Sequence, residues 1–182
     1  MPACDSFMWF PDRGGAKFEG ETTDAYFATK KAFEISSFAF DVSNGNEEER
    51  GGKFEAFRIT KLVDSTSMPL YKACSMGTLI PTICLAIRKA GGNHLIYLQF
   101  IFRYAKVVGI TWNGSLDQYA SEDMKFTFKA MGAQYVQQKP DGTFGKRQSW
   151  SWTAATEEGK KGEPTMDVGL SEPVPDFLPP HP

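Results

Sequence analysis

Alternation of apolar and polar residues with a period of two is the feature that most constrains this chain. In DMKFTFKAM (123–131), Met124, Phe126 and Phe128 point to one side, and the charged and polar residues between them point to the other. The same alternation runs through TICLAIRK (82–89) and HLIYLQFIFRY (94–104), and the tight-turn sequence KAGGNH joins the two. This period belongs to strands with one buried face, so the chain is predicted to be mainly β.

Further strands are predicted at residues 33–42, 53–63, 105–112 and 147–152, which makes seven or eight short strands in all. Their spacing favours an antiparallel barrel or sandwich over alternating strands and helices. A chain of 182 residues has the length of one ordinary domain. We therefore predict that residues 1–153 form a compact antiparallel β-barrel of two packed sheets.

One short helix is predicted at residues 67–76, within TSMPLYKACSMG. Ser67 is the expected N-cap, because its hydroxyl can accept a hydrogen bond from an unpaired amide of the first turn. Gly77 suits the left-handed conformation that ends a helix. An isolated helix of ten residues is not stable in water, so this one is expected to dock over an open end or flank of the barrel. The apolar stripe it would dock with is Leu70, Ala73 and Cys74.

Some strands are apolar on both faces. In residues 94–104 the predicted inner face carries Ile96, Leu98, Phe100 and Phe102, while Tyr97 and Ile101 lie opposite. The chain also holds 15 Phe, 6 Tyr and 4 Trp, and each aromatic side chain buries roughly 150–250 Å² when interior. A second covered surface is therefore expected, and open sheet edges also need a partner. Self-assembly into a ring, in which the sheet of one subunit continues into the next, would meet both needs.

Composition and motifs argue against several classes of function. The net charge is −2 and the acidic residues concentrate after residue 154, so no basic surface for nucleic acid is expected. Three cysteines without C-x-x-C spacing predict neither a disulfide framework nor a zinc site. No apolar run approaches the ~20 residues of a membrane span, and the start of the chain does not read as a signal peptide. Catalytic, metal and cofactor motifs are absent from the sequence, so we expect no enzyme activity, no metal and no cofactor.

Three other segments each have two interpretations. The segment Asn46, Glu47, Glu48, Glu49 and Arg50 is either a cation site or, as its flanking glycines favour, an exposed loop. Residues 154–182 form a proline-rich acidic tail, which is either mobile and solvated or a strap that docks through Val174, Phe177 and Leu178. Trp150 and Trp152 share one strand face, where they would be a stacking platform or, as is commoner, core or interface.

Three stretches resemble the haemolysin-coregulated protein (Hcp) family, the inner-tube subunits of bacterial type VI secretion systems. TKLVDSTSMPLYKACSMG (60–77) is similar to that family's strand-to-helix segment, and IRKAGGN (87–93) to its central hairpin. YVQQKPDG (135–142), with the later tryptophan strand, resembles its closing strands, and the early pair Gly20-Glu21 also fits. The resemblance covers roughly residues 7–153. The chain departs from the pattern in the later position of Pro69 and in its longer, proline-rich tail.

The resemblance implies a barrel with one flanking helix, six copies of which form a ring around a channel, and rings that stack into a tube. The implied partners are further copies of the chain, the sheath, spike and baseplate proteins of the secretion system, and small effector proteins in the channel. Members leave the bacterial cytoplasm through their own machine, which agrees with the lack of a predicted signal peptide.

By position, SSFAF matches the channel-wall strand of the family. Ser37, Ala39 and Asp41 would then face the channel, while Phe38, Phe40 and Val42 would point into the barrel. The alternative for the first three is the solvent side of a half-buried strand, and the sequence favours neither. Residues 43–53, with Asn46, Glu47, Glu48, Glu49 and Arg50, match a family loop implicated in contacts between rings.

Two rival functions remain. The first is a small-ligand-binding barrel, which would be a closed monomer with a dry cavity. The second, a hydrolase or toxin, would need a catalytic constellation that the sequence does not contain. The mass of the particle in solution separates the tube subunit from the monomeric barrel.

Overall fold

A computed structural model of the chain describes residues 4–11, 18–44, 52–89, 96–139 and 143–153. It confirms a mainly β, antiparallel fold with the predicted flanking helix. Two predicted turns, around Gly91-Gly92 and Pro140-Asp141-Gly142, lie outside these residues. None of the helices among the described residues is long and apolar enough to cross a bilayer. The strands are β1 Cys4–Trp9, β2 Phe33–Glu34, β3 Ser37–Ala39, β4 Val42–Asn44, β5 Gly52–Phe54, β6 Phe57–Leu62, β7 Leu79–Lys89, β8 Ile96–Ser115, β9 Gln118–Thr127, β10 Ala130–Gln138 and β11 Phe144–Thr153, and the helices are α1 Ala25–Ala28 and α2 Ser67–Met76.

The long strand β8 belongs to both layers of the barrel. Its first half pairs with β7 on one side and β10 on the other, and its second half pairs with β9. One layer is therefore β3-β6-β9-β8, and the other is β2-β1-β7-β8-β10-β11. The sequence predicted two separate strands here, at 94–104 and 105–112. The strand instead passes from one layer to the other near Tyr104, whose φ of 53° marks the change of direction.

Residues 33–42 were predicted as one strand, and this was wrong. The chain crosses there from the edge of one layer to the edge of the other. The Ile35 N–H donates to the Ser6 carbonyl of β1 at 3.0 Å, whereas the Ser36 N–H donates to the Thr60 carbonyl of β6 at 2.8 Å. Because successive residues bond to different layers, the segment divides into β2 and β3, and β4 departs to pair with β5. β2 and β3 are the two ends of the sheet order and do not pair with each other, so the described sheet is not closed into the predicted barrel. The predicted strand 53–63 divides similarly into β5 and β6.

The space between the layers is filled by one hydrophobic core. Ile83, Leu85 and Ile87 point into it as predicted. Ile96 does not, because the β7–β8 register shifts between Ile87 and Arg88 and turns Ile96 to the opposite face. At the centre the rings of Phe57 and Phe102 stack with centroids 4.5 Å apart.

The second covered surface exists, but this chain covers part of it itself. The short helix α1, which the sequence did not predict, lays Phe27 over the outer face of β1, where its ring stacks on Phe7 at 4.0 Å. Asp24 caps α1 through its carboxylate, which accepts from the backbone N–H groups of Tyr26 and Phe27. The same carboxylate pairs with Arg88 at 2.7 Å. Self-assembly is therefore not needed to cover this part of the sheet.

Helix α2 has the predicted bounds, and its stripe is buried at Leu70 and Ala73. It ends at Gly77, whose φ of 61° is left-handed, as predicted. The predicted N-cap was wrong: Thr66 holds that position and makes no side-chain capping bond. The Ser67 hydroxyl is held elsewhere, since it accepts from the Asp64 N–H at 2.9 Å and donates to buried Glu122 at 2.7 Å.

Candidate functional site: an exposed polar sheet face

The layer β3-β6-β9-β8 has one face on the core and one polar face that is open to solvent. Two rows of paired residues cross this open face. The first row is Ser37, Thr60, Asp123 and Thr111, and the second is Ala39, Arg58, Lys125 and Gly109. We call this surface the polar face. It is the candidate functional site, because it brings the channel residues suggested by the sequence into one wall.

The suggested channel residues Ser37, Ala39 and Asp41 are all exposed, and they lie on or beside the polar face. Phe38 and Phe40 turn inward as expected, and each packs against the ring of Phe100, with centroids 6.0 and 5.1 Å away. Val42 does not point into the barrel.

Val42 is 59% exposed. The reason is that β4 leaves this layer and pairs with β5 in a separate two-stranded sheet, where Val42 lies opposite Phe54.

The charges on the polar face balance one another. Arg58 pairs with Asp41 at 2.8 Å. Asp123 accepts hydrogen bonds from Thr60 at 2.6 Å and from the Asn113 amide at 2.8 Å. With Lys125, the two rows and adjacent Asp41 carry two cations and two anions, so this part of the polar face is nearly neutral. Exposed ion pairs of this kind add little stability.

The sequence suggested only the β3 part of this face. Arg58, Thr60 and Asn113 were missed because their neighbours across the sheet depend on strand register, which alternation does not specify. Asp123 and Lys125 could have been assigned to the polar face from the sequence, since alternation predicted that both point away from the core.

Both ends of this layer are unpaired among the described residues. β3 pairs only with β6. At the other end, the β7–β8 ladder stops at Lys106, so the rest of β8 has β9 as its single strand partner. Unpaired strand edges are sites for pairing with another chain.

Three other predicted features have different outcomes. The segment Asn46 to Arg50 and the docking residues Val174, Phe177 and Leu178 lie outside the described residues. On β11, Trp152 packs against the core and its ring lies 4.2 Å from that of Phe54, whereas Trp150 is 49% exposed.

Residues 7–135 match the family model described as type VI secretion system effector, Hcp. The chain belongs to the Hcp family. Among curated proteins, it is 34% identical to Protein hcp1 of Pseudomonas aeruginosa over 85 residues, or 46% of this chain and 52% of that protein. The matched part of the chain thus spans about half the length of this curated relative.

Solved structures support the fold. A type six secretion system protein superposes with a TM-score of 0.73 at 24% identity, covering 83% of this chain and 96% of the other. Hcp1 from Salmonella typhimurium superposes with a TM-score of 0.69 at 23% identity, covering 84% of this chain and 95% of the other. At these identities the likeness establishes the shared fold.

Proposed function

We propose that this Hcp chain is a structural inner-tube subunit of a type VI secretion system. Six copies assemble into a ring, rings stack into a tube, and the tube carries small effector proteins in its channel. The observation that carries the proposal is the layer β3-β6-β9-β8. One of its faces is buried and the other is polar, and within the described ranges neither of its end strands has a strand partner on its outer edge. Membership of the Hcp family supports the same role.

The free edges explain how a ring would form. The edge of β3 in one subunit lies beside the second half of β8 in the next, so the four-stranded layers continue around the ring. The contact joins two different surfaces, and repeated contacts of this type close into a ring when the rotation between subunits allows it. The monomeric ligand-binding alternative is less well supported, because aromatic side chains such as Phe57 and Phe102 fill the barrel interior.

In such a ring the polar face lines the channel, and Ser37, Ala39 and Asp41 contact cargo. A lining of small side chains and balanced charges suits transport, since cargo that binds weakly can also be released. The protein would act in the bacterial cytoplasm and then be exported through the secretion machine, where its partners are the sheath, spike and baseplate.

The segment Asn46 to Arg50 is proposed to contact the next ring in the stack. Its three glutamates would then give stacking a dependence on salt. The tail is proposed to strap the ring exterior or rim through Val174, Phe177 and Leu178.

Site-specific labelling tests the channel assignment. In a Cys4→Ser, Cys74→Ser background, which keeps buried Cys84, Ala39→Cys places a thiol on the polar face, and Thr29→Cys places one at an exposed position just after α1 as the matched control. Purified rings are reacted with biotin maleimide and then challenged with streptavidin. We expect both variants to take the small label, but only the Thr29→Cys rings to bind streptavidin. Equal streptavidin binding by both would show that the polar face is not enclosed.

A further inference from the structure

A concave surface lies where the chain crosses from β2 to β3. This groove has a volume of about 350 Å³. Its apolar lining includes Leu62 and Val63, which are 52% and 39% exposed. Glu21 and Glu34 also line it, and neither forms an ion pair with a described residue. We call this the β2–β3 groove: it is a depression with a mixed polar and apolar lining and two carboxylates that form no ion pair within the described part of the chain.

A second exposed apolar surface lies on β8 and the end of α2. Its four large side chains are 47% to 68% exposed: Met76, Leu79, Tyr104 and Val108. Single exposed apolar residues are ordinary, but a contiguous group indicates an interaction surface. Lys106 lies among them, because it pairs with Leu79 and falls between Tyr104 and Val108 on the strand. Lys72 lies one helical turn before Met76 and is exposed. We call this group of six residues the β8 flank.

The two surfaces are complementary in charge. The groove is concave and carries two glutamates, whereas the flank carries two lysines among exposed apolar side chains. They lie toward opposite ends of the layer β3-β6-β9-β8, next to its two free edges. A two-fold contact can pair the flank with the groove reciprocally only if both lie in one patch, and here they lie toward opposite ends of the layer. A head-to-tail arrangement brings the lysines to the glutamates at every joint, and such an arrangement can form a ring.

We propose that the β8 flank of one copy docks in the β2–β3 groove of the next, with Lys72 and Lys106 facing Glu21 and Glu34. This inference rests on the proposed ring and adds a specific contact outside the joined strand edges. The apolar side chains supply the buried area, and the charges select the head-to-tail orientation over the alternatives.

Charge reversal gives a direct test, because the contact joins two different surfaces. The groove variant is Glu21→Lys with Glu34→Lys, and the flank variant is Lys72→Glu with Lys106→Glu. In either variant alone, every joint opposes like charges, and we expect the concentration at which half the protein is assembled to rise at least about tenfold. An equimolar mixture can form rings in which the two variants alternate. Every joint then has opposite charges again, and assembly should return to near the wild-type concentration.

Two controls make the result interpretable. Lys139→Glu with Lys146→Glu changes the net charge as much as the flank variant does, but at exposed lysines on or beside the β10–β11 pair and outside the contact, and should assemble normally. Circular dichroism and thermal unfolding of each variant show whether it is folded. Recovery of assembly in the mixture of folded variants would support the contact.

The inference is overturned if each variant assembles like the wild type. It is also overturned if the folded variants remain unassembled when mixed. In both cases wild-type rings would still stand, and so would the tube function. Failure of the wild type to form rings at any concentration would instead refute the proposed function.

Discussion

Lys61 and Glu122 form an ion pair that is completely buried beneath the start of α2. Their side chains are 0% exposed, and the Lys61 ammonium lies 2.6 Å from the Glu122 carboxylate. The carboxylate also accepts hydrogen bonds from the Trp112 indole at 2.8 Å and from the Ser67 hydroxyl at 2.7 Å. Lys61 pairs with Asp64 as well, at 2.7 Å. This network ties α2 to β6, β8 and β9.

Lys61→Met removes the cation and leaves Glu122 buried without a counter-charge. Breaking a buried pair from one side costs about 3–5 kcal/mol, because the remaining charge keeps its desolvation penalty. For a domain of this size, that loss corresponds to a fall in Tm of roughly 6–20 °C. The double variant Lys61→Met with Glu122→Gln removes both charges but keeps an acceptor for Trp112, so it should recover at least half of the lost stability.

Urea unfolding, followed by circular dichroism below the concentration at which rings form, measures these free energies. Arg58→Met is the matched control: it breaks the exposed pair with Asp41, whose side chains are 52% and 65% exposed, and should cost no more than about 1 kcal/mol. A loss for Lys61→Met as small as that of this control would show that the buried pair does not stabilise the fold as described. So would a double variant whose loss equals the summed losses of Lys61→Met and Glu122→Gln measured separately.

Three further predictions follow from the backbone and from α1. Gly20→Ala should lower the free energy of unfolding by about 1–3 kcal/mol, because its Cβ would clash with the carbonyl oxygen of Ala32. Gly114→Ala is the control, since its Cβ would meet no atom within 4 Å. Equal losses of the two variants in urea unfolding would contradict this. Gly77→Ala should cost about 1–2 kcal/mol, since a side chain at φ 61° is strained, and Gly77→Asn should cost less in the same assay. Burial raises the pKa of Asp24, but hydrogen bonds from the Phe27 N–H, Arg88 and the Tyr26 N–H outweigh it and hold that pKa below 3.8. Its stabilising contribution is therefore present above pH 3.8 and is lost as the pH falls further. Asp24→Asn keeps the capping oxygen without the charge. An acid titration followed by circular dichroism should therefore show that the variant loses less stability below pH 3.8 than the wild type does. The same pH profile in both proteins would count against this role of Asp24.

Alternation predicted the parts of the fold where strand geometry is local. The inward faces of β7 at Ile83 and Leu85, and of β9 at Met124 and Phe126, follow directly from a period of two. The bounds of α2 were predictable because Gly77 supplied a clear end signal. Alternation placed Ile96 on the wrong face, because the β7–β8 register shifts there and the amino-acid sequence does not reveal such a shift.

The layer crossing and α1 needed tertiary information. Residues 33–42 alternate like one strand, yet the backbone N–H groups of Ile35 and Ser36 bond to different layers. The sequence of this segment contains no turn or bulge signal that would have indicated the crossing. Helix α1 is only four residues long, too short for a helical period, although Asp24 before Ala25 was a usable capping signal. Ser67 looked like a cap because the sequence could not reveal buried Glu122, which takes its hydroxyl.

Only part of the polar face was predictable from the sequence. The exposure of Ser37, Ala39 and Asp41 follows from alternation together with family resemblance. Their neighbours Arg58 and Thr60 join the polar face only through the β3–β6 pairing, which requires the register. The β2–β3 groove and the β8 flank also combine residues that are distant in sequence, so alternation alone did not indicate either surface.

Neighbouring copies of the chain are proposed to complete the layer β3-β6-β9-β8. Size-exclusion chromatography with light scattering, followed by negative-stain imaging of the same fractions, tests this proposal most directly. We expect rings of six copies of 20.3 kDa, about 122 kDa, with a central channel. A particle that keeps the mass of a single chain up to the highest soluble concentration would contradict it.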